Sequence, residues 1–432
     1  MSFGGGSFVT QNKVLPGIYV NVAAENKVTS TLSDRGVAAM GVELDWGPDN
    51  ELIYLTESEF RKNCRKLFAC DYTADKMKGL RDLFRHADAC YLYRLNSGAK
   101  ASNSLCEARY SGALGNKLLV VVSTSDAGYW VQTYLNQKEV DAQLVADSSE
   151  LQDNDYVCWK KSAALTMTSG LALTGGSSKA VVALEDYYNM LLALESVRFN
   201  ILGCVSTDST IQQLFVLFTQ GQRTESGAKF QTVLYDCDAD YEGVISVTNP
   251  VHDEMFPESS LVYWVTGAEA GCAVNSSLTN VLYDGEFEIE PVMGDMELRE
   301  ALAEGKLVLH KMGNQLRVLE DVNTLVNCAE GQTEDMKYNQ TMRVLDQIVL
   351  DLSALFYDKY LGVVLNDNAG RMSLWNDIVS YYRKLEGLRA IEGFDAADIT
   401  VSQGDSKKAV VVGSYLTVIN SMSQLYLTVT FE

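Results

Sequence analysis

Apolar positions along this chain recur with two periods, and the switches between them lay out its elements. After the Pro16-Gly17 turn, Ile18, Val20 and Val22 alternate with Tyr19 and Asn21, the period of a strand with one apolar face. Strands are predicted over 37–44 and 51–55, either side of the turn Trp46-Gly47-Pro48-Asp49-Asn50. Thr56-x-x-Glu59 is a capping box, and Phe60, Cys64, Leu67 and Phe68 behind it predict a helix over 56–69. A helix over 76–86 and a strand over 89–95 complete a small α/β unit. From 97 to about 167 the chain turns to Ser, Asn, Gly and short β-type runs, with strands expected at 118–123, 128–135, 139–146 and 156–160.

From 170 to about 330 the periods alternate. Helices are predicted over 183–196, 207–222 and 259–274, and strands over 200–206, 230–235 and 243–247, which implies a sheet layered by helices. The longest amphipathic stretches are 332–360 and 372–391, where Trp375, Ile378, Tyr382 and Leu385 share a face. A strand is expected over 409–420. Finally Leu425, Leu427, Val429 and Phe431 alternate with Tyr426, Thr428 and Thr430. At about 100–200 residues per domain, 432 residues allow two to four domains in an α+β arrangement.

Charge adds an interaction question. The formal net charge is −22, which repels nucleic acid and anionic membranes over most of the surface. Yet 61–85 holds eight Lys/Arg against three acids, while 138–155, 236–258 and 284–300 are acidic blocks. Such blocks are either solvated faces or contacts between stacked copies. Nine cysteines include no C-x-x-C pair, and most sit beside apolar residues, the usage of buried free thiols in a reducing compartment. The glycine-rich stretch 1–11 does not read as a signal peptide, and no apolar window is long enough for a membrane span.

Candidate chemistry is sparse. The histidines are His86, His252 and His310, and G-x-S-x-G does not occur. His252 lies in a polar loop without a partner signal. Gly170 to Ser177 approaches a phosphate loop, but Gly176 stands where the lysine must be, so a tight turn feeding a helix is expected there. Asp236-x-Asp238-x-Asp240 opens like a calcium loop, then places Tyr241 and Val247 where Gly and Glu are required; an acidic surface turn is expected. No catalytic residue, cofactor or metal is assigned.

Several segments resemble, in order, the tail sheath proteins of contractile phages, defective prophages and phage-tail bacteriocins. They are Asn12 to Val20, Leu173 to Gly176 with Phe199 to Leu202, Asp240 to Val247, and above all Val262-Tyr263-Trp264-Val265-Thr266-Gly267-Ala268-Glu269-Ala270-Gly271 running on to Tyr283-Asp284-Gly285. The resemblance implies an α/β sheath core with an inserted small β-sandwich and extended N- and C-terminal β-arms. The divisions expected are an N-terminal arm 1–22, a small α/β domain 23–96, the β-sandwich 97–168, a central domain 169–330 (subtilisin-like in fold, without a triad), a tube-proximal domain 331–420 and a C-terminal arm 421–432. It further implies a helical homo-oligomer around a tail tube protein, with baseplate and tail terminator proteins as partners. It implies too that no nucleic acid is bound directly, that no membrane is entered and that assembly takes place in the host bacterial cytoplasm.

The residues then take roles. Ile18, Tyr19, Val20 and Val22 belong to one arm, and Leu425, Leu427, Val429 and Phe431 to the other. Ala409, Val410, Val411 and Val412 form the receiving sheet. Arg371, Arg383, Lys384 and Arg389 are offered as contacts to an acidic tube. Residues 421–432 span roughly 40 Å at about 3.3 Å each, enough to reach a neighbour. A terminal strand that pairs within its own subunit is the alternative. Two rivals to a sheath are an α/β hydrolase-like enzyme and a monomeric binding module that uses the β insert.

Overall fold

The structure, a computed structural model, describes residues 35–292 and 294–431. It begins with β1 (Val37–Val42), β2 (Leu52–Thr56), α1 (Glu57–Phe68), α2 (Lys78–Leu83) and β3 (Ala89–Arg94). The capping box forms as spelled: the Glu59 amide donates to Thr56 Oγ1 at 3.3 Å, and the Thr56 amide to Glu59 Oε2 at 3.0 Å. Next come β4 (Cys106–Ala108), β5 (Leu118–Ser125), β6 (Gly128–Leu135), β7 (Lys138–Val145), β8 (Val157–Trp159) and β9 (Thr168–Ala172). They are followed by α3 (Leu184–Leu194), β10 (Ile201–Gly203), α4 (Ser209–Gly221), β11 (Gln231–Tyr235), β12 (Val244–Val247) and α5 (Leu261–Gly271). Then α6 (Asp295–Ala303), β13 (Lys306–Leu307), β14 (Leu309–Met312) and β15 (Gln315–Val318) lead to the long helices α7 (Asn339–Leu355) and α8 (Asn368–Gly387). The last elements are β16 (Ile391–Glu392), β17 (Ile399–Gln403), β18 (Val410–Ser414) and β19 (Thr417–Val418).

Strands between 37 and 94 and between 201 and 307, placed in separate domains in the sequence reading, build one seven-stranded sheet in the order β13-β12-β11-β10-β1-β3-β2. It is parallel except for the antiparallel edge strand β2. The pairing of Ala38 with Ile201 joins residues far apart in the chain, and nothing local in either segment encodes it. Helices cover both faces, so β12 is buried at every position. One face packs Phe60, Leu80, Leu83 and Trp264; the other packs Tyr187, Met190 and Phe215.

α5 is buried from Leu261 to Ala270. Its small residues let α2 approach: a Cβ on Gly267 would lie 2.1 Å from the Leu83 carbonyl oxygen. Gly267→Ala should therefore force the two helices apart and destabilise by about 1–3 kcal/mol. An unchanged urea midpoint would contradict that packing.

In the insert, β7-β6-β5-β9 make a four-stranded antiparallel sheet and β4-β8 a two-stranded one. They close over Val120, Val122, Val131 and Trp159. The sheet runs on to Ala172, which corrects the expectation for Gly170 to Ser177. That segment is a strand end followed by a loop, with Gly175 at φ 86° and Thr174 bridged to Ser102, and α3 starts only at Leu184.

The C-terminal part packs α7 and α8 around Val344, Ile348, Ile378, Tyr381 and Leu385. The single strand expected over 409–420 is two. β18 pairs with β17, while β19 pairs with β16 beyond the end of α8. The chain must leave one partner before reaching the other, so it breaks at Tyr415-Leu416. Among the described residues no helix is long and apolar enough to cross a membrane.

Candidate functional site

The β17–β18 hairpin lies on α8, held by Trp375 Nε1 donating to the Ile399 carbonyl at 3.1 Å and by Tyr382 Oη against Ser414 Oγ at 3.1 Å. Its ladder is bracketed by Gly404 N to Ala409 O at 2.9 Å and Tyr415 N to Asp398 O at 3.3 Å. Antiparallel strands alternate inward and outward pairs, so the backbone groups of Val410, Val412 and Ser414 point outward along one edge. Those of Ile399, Val401 and Gln403 point outward along the other. Among the described strands neither edge has a partner. Of the four residues assigned to the receiving sheet, Ala409 instead closes the turn, its carbonyl also accepting from Asn366 Nδ2 at 2.8 Å. Val410, Val411 and Val412 lie in β18, and Val411 and Val412 are exposed.

The C-terminal arm has a fixed root. Gln340, in the first turn of α7, donates to the Ile419 carbonyl at 3.1 Å and accepts from the Ser421 amide at 2.9 Å. Thr341 Oγ1 donates to Asn420 Oδ1 at 3.1 Å. Beyond the root the sequence pattern of a strand is present without the strand. Leu425, Leu427, Val429 and Phe431 are 86, 75, 74 and 93% exposed and pair with no strand among the described residues. Burying one such side chain gains about 1.5–3 kcal/mol, so this row is a standing incentive for association. Ile18, Tyr19, Val20 and Val22 lie outside the described residues.

The four cations assigned to the tube are not one patch. Arg371, at the start of α8, is engaged with the Asn366 side chain at 2.9 Å and the Asn366 carbonyl at 3.1 Å. Arg383, Lys384 and Arg389 sit at the helix's other end, roughly 18 Å away at about 1.5 Å per residue. Arg383 and Arg389 are exposed.

The charge blocks meet inside one subunit. Lys66 pairs with Asp155 at 2.9 Å, Lys78 with Asp253 at 2.5 Å, Arg81 with Glu286 at 2.7 Å and His86 with Asp284 at 3.0 Å. The basic block therefore joins the three acidic ones across the fold. Asp236 and Asp238 both reach Lys306, while Asp240 accepts from the Val326 and Asn327 amides, so the three carboxylates do not converge on a cation. Among the described residues no cluster of His, Cys, Asp and Glu is placed to hold a metal. His252 faces Glu290 at 2.9 Å in an exposed pair.

Sequence reasoning missed a buried ionic seam between α5 and α7. Arg343 Nη2 lies 2.6 Å from Glu269 Oε2 and 3.3 Å from Asp321 Oδ2, and its Nη1 donates to the Ser276 carbonyl at 2.6 Å. Asn339 Nδ2 donates to Asp321 at 2.8 Å and Gln231 donates to Asn339 at 2.9 Å. Arg223 grips Asp346 with both nitrogens, at 2.6 and 2.9 Å. Burial and the Asp321 carboxylate push Glu269 well above the usual carboxylate range. Burial works the same way on Asp321, but the Arg343 guanidinium and the hydrogen bonds outweigh it and hold that carboxyl low. Arg35, facing the same cluster, is pushed down to about 10, first by burial and then by Arg343. The one trace in the sequence was Glu269, the only charge in an otherwise apolar helix.

Three family models match in succession: the phage tail sheath protein beta-sandwich domain over 96–179, the central domain over 180–324 and the phage tail sheath C-terminal domain over 331–432. The crystal structure of a sheath tail protein from Desulfitobacterium hafniense is 30% identical, with 94% of this chain and 97% of that one covered and a TM-score of 0.80. The chain belongs to the phage tail sheath protein family. The phage-like element PBSX protein XkdK of Bacillus subtilis is 27% identical over 98% of this chain and 99% of its own. The helical sheath of the anti-feeding prophage in its contracted state shares the fold, with a TM-score of 0.58 at 13% identity, covering 97% of this chain and 99% of that one. The family is one of structural sheath proteins, not enzymes.

Proposed function

We propose that this chain is the subunit of a contractile tail sheath, polymerising as helical rings around a tail tube by lending its terminal arms to its neighbours. The observation that carries the reading is the coexistence, in one subunit, of an exposed apolar arm and a hairpin with two open edges. An unpaired edge invites another strand, and strand addition supplies main-chain bonds for affinity with alternate side chains for register. Two edges suit two arms, one from each chain end. Because arm and hairpin are different surfaces, the contact is head-to-tail and propagates as an open helix. The fold shared with a contracted helical sheath supports the same assembly.

Contraction is then a change between two packings of whole subunits tied by those arms, biased at a baseplate. Summed along the polymer, a small difference per subunit drives the tube through the target envelope without nucleotide. Arg383 and Arg389 are the exposed cations of the proposed tube contact. The purified chain imaged in negative stain should show tubes of uniform diameter. A chain that remains monomeric at high concentration fails the reading.

A further inference from the structure

We infer that a cavity at the tip of the β17–β18 hairpin seats Phe431 of a second copy. This rests on the arm-exchange reading above and adds its anchor point and strand direction. The cavity, about 100 Å³, opens between the chain that follows α7 and the start of β18, and is lined by Phe356, Leu361, Val364, Leu365, Leu374 and Val410. It is of the order that accepts an aromatic ring, since a dry apolar cavity of about 150 Å³ takes up benzene. Part of its mouth is apolar as well: Leu361 is 55% and Leu365 78% exposed among the described residues.

The hairpin aims an incoming strand at this cavity. Val410, Val412 and Ser414 turn their side chains toward α8, as the Ser414–Tyr382 contact and the packing of Val410 on the α8 core show. A strand added along their open edge places every second side chain over the same face. Leu425, Leu427, Val429 and Phe431 are such a set. Val410 begins β18 and lines the cavity, so an arm running antiparallel to β18 brings its last apolar residue there. Charge agrees with that direction. Lys408 and Arg371 stand at the cavity rim, and Glu432, next to Phe431, is the only charged residue of 421–432. Among the described residues Lys408 has no salt bridge.

Cross-linking between two variants that each gain one cysteine, in a Cys328→Ser background that removes the exposed natural thiol, tests the seat. Phe431→Cys in one copy is mixed with either Leu365→Cys or Val411→Cys in the other, under mild oxidation of the assembled full chains. Cross-linking at Leu365 is expected. Cross-linking at Val411 alone overturns the cavity and leaves arm exchange standing, with a tube surface then the candidate for the patch. Cross-linking at neither overturns both. A cross-link formed within a single doubly substituted chain at high dilution overturns the second copy as donor. In parallel, Phe431→Ala should raise the critical concentration for assembly about tenfold or more, the cost of one buried aromatic anchor, and Tyr426→Ala, on the opposite face, less than about twofold. Lys408→Glu should weaken assembly and Glu432→Lys in the same chain should restore it; no recovery counts against the antiparallel direction.

Discussion

A chain ending at Asn420 should fold as the whole chain does and form no tubes. The folded subunit loses little by the cut. From 422 to 431 the arm belongs to no strand, and the large apolar side chains it removes are all exposed. The Gln340 contact to the Ser421 amide goes, while that to the Ile419 carbonyl stays. Surface changes of this kind shift stability by about 0.5 kcal/mol or less, so the urea midpoint should hardly move. Assembly loses far more. Leu425, Leu427, Val429 and Phe431, buried against a neighbour, supply about 6–12 kcal/mol in all. That is comparable with the 4–15 kcal/mol or so that association costs in lost freedom. Without them the remaining contacts are too weak to hold a lattice at ordinary protein concentrations. Sedimentation should report a monomer and negative stain an empty field. Tubes of normal appearance from the truncated chain would sink the arm mechanism outright.

What could be read beforehand follows a physical line. Local signals survived folding: the Thr56–Glu59 cap, the strands of the insert, and the face of α8 that carries Ile378, Tyr382 and Leu385. Each depends on residues within a few positions of one another. Pairings across the chain were not legible. Between β1 and β10 lie 158 residues, 43 to 200, so two segments read as separate units turned out to share a sheet. The charge blocks show the same limit. Their signs were evident, but that Lys78 meets Asp253 and Arg81 meets Glu286 within one subunit depends on tertiary placement. The arm is the reverse case. Its period-two pattern marks a strand that is not formed among the described residues; in the arm-exchange proposal the partner strand lies in another molecule. The start of β18 was read one residue early, at Ala409, since a turn and a strand start look alike in a run of Ala and Val.

The second large effect is expected at Arg343, where α7 is fastened to α5. Arg343→Met keeps the length and the apolar stem but removes the cation that faces Asp321 and Glu269, both fully buried. Removing one partner of a buried ion pair costs about 3–5 kcal/mol, because the charge left behind has lost its main counter-ion and has no water in exchange. Against a typical total of about 5–15 kcal/mol that is a severe loss. Glu269→Gln should be mild by comparison, within about 1 kcal/mol. Burial and the Asp321 carboxylate already disfavour the charge of Glu269, so an amide of the same shape gives up less there than Arg343→Met does.

The pH dependence separates lost charge from lost packing. In the natural chain Asp321 is held below the ordinary carboxylate range, so its pairing stabilises above its unfolded pKa, about 3.9, and fades as pH falls through the lower folded value. In Arg343→Met the same carboxyl is buried without that guanidinium, and burial raises its pKa. The folded state then binds the proton more tightly than the unfolded one, so the variant's stability falls as pH rises above about 4. The gap between natural and variant proteins should therefore narrow toward pH 4 and widen toward neutrality. Arg35, the cation that remains beside the cluster, limits the gap without closing it, since burial already disfavours its own charge. Urea titrations at pH 4.5 and 7.5 measure both gaps. Equal gaps would mean that the seam acts through packing alone, and that the Arg343–Asp321 charge pair does not hold α7 in place.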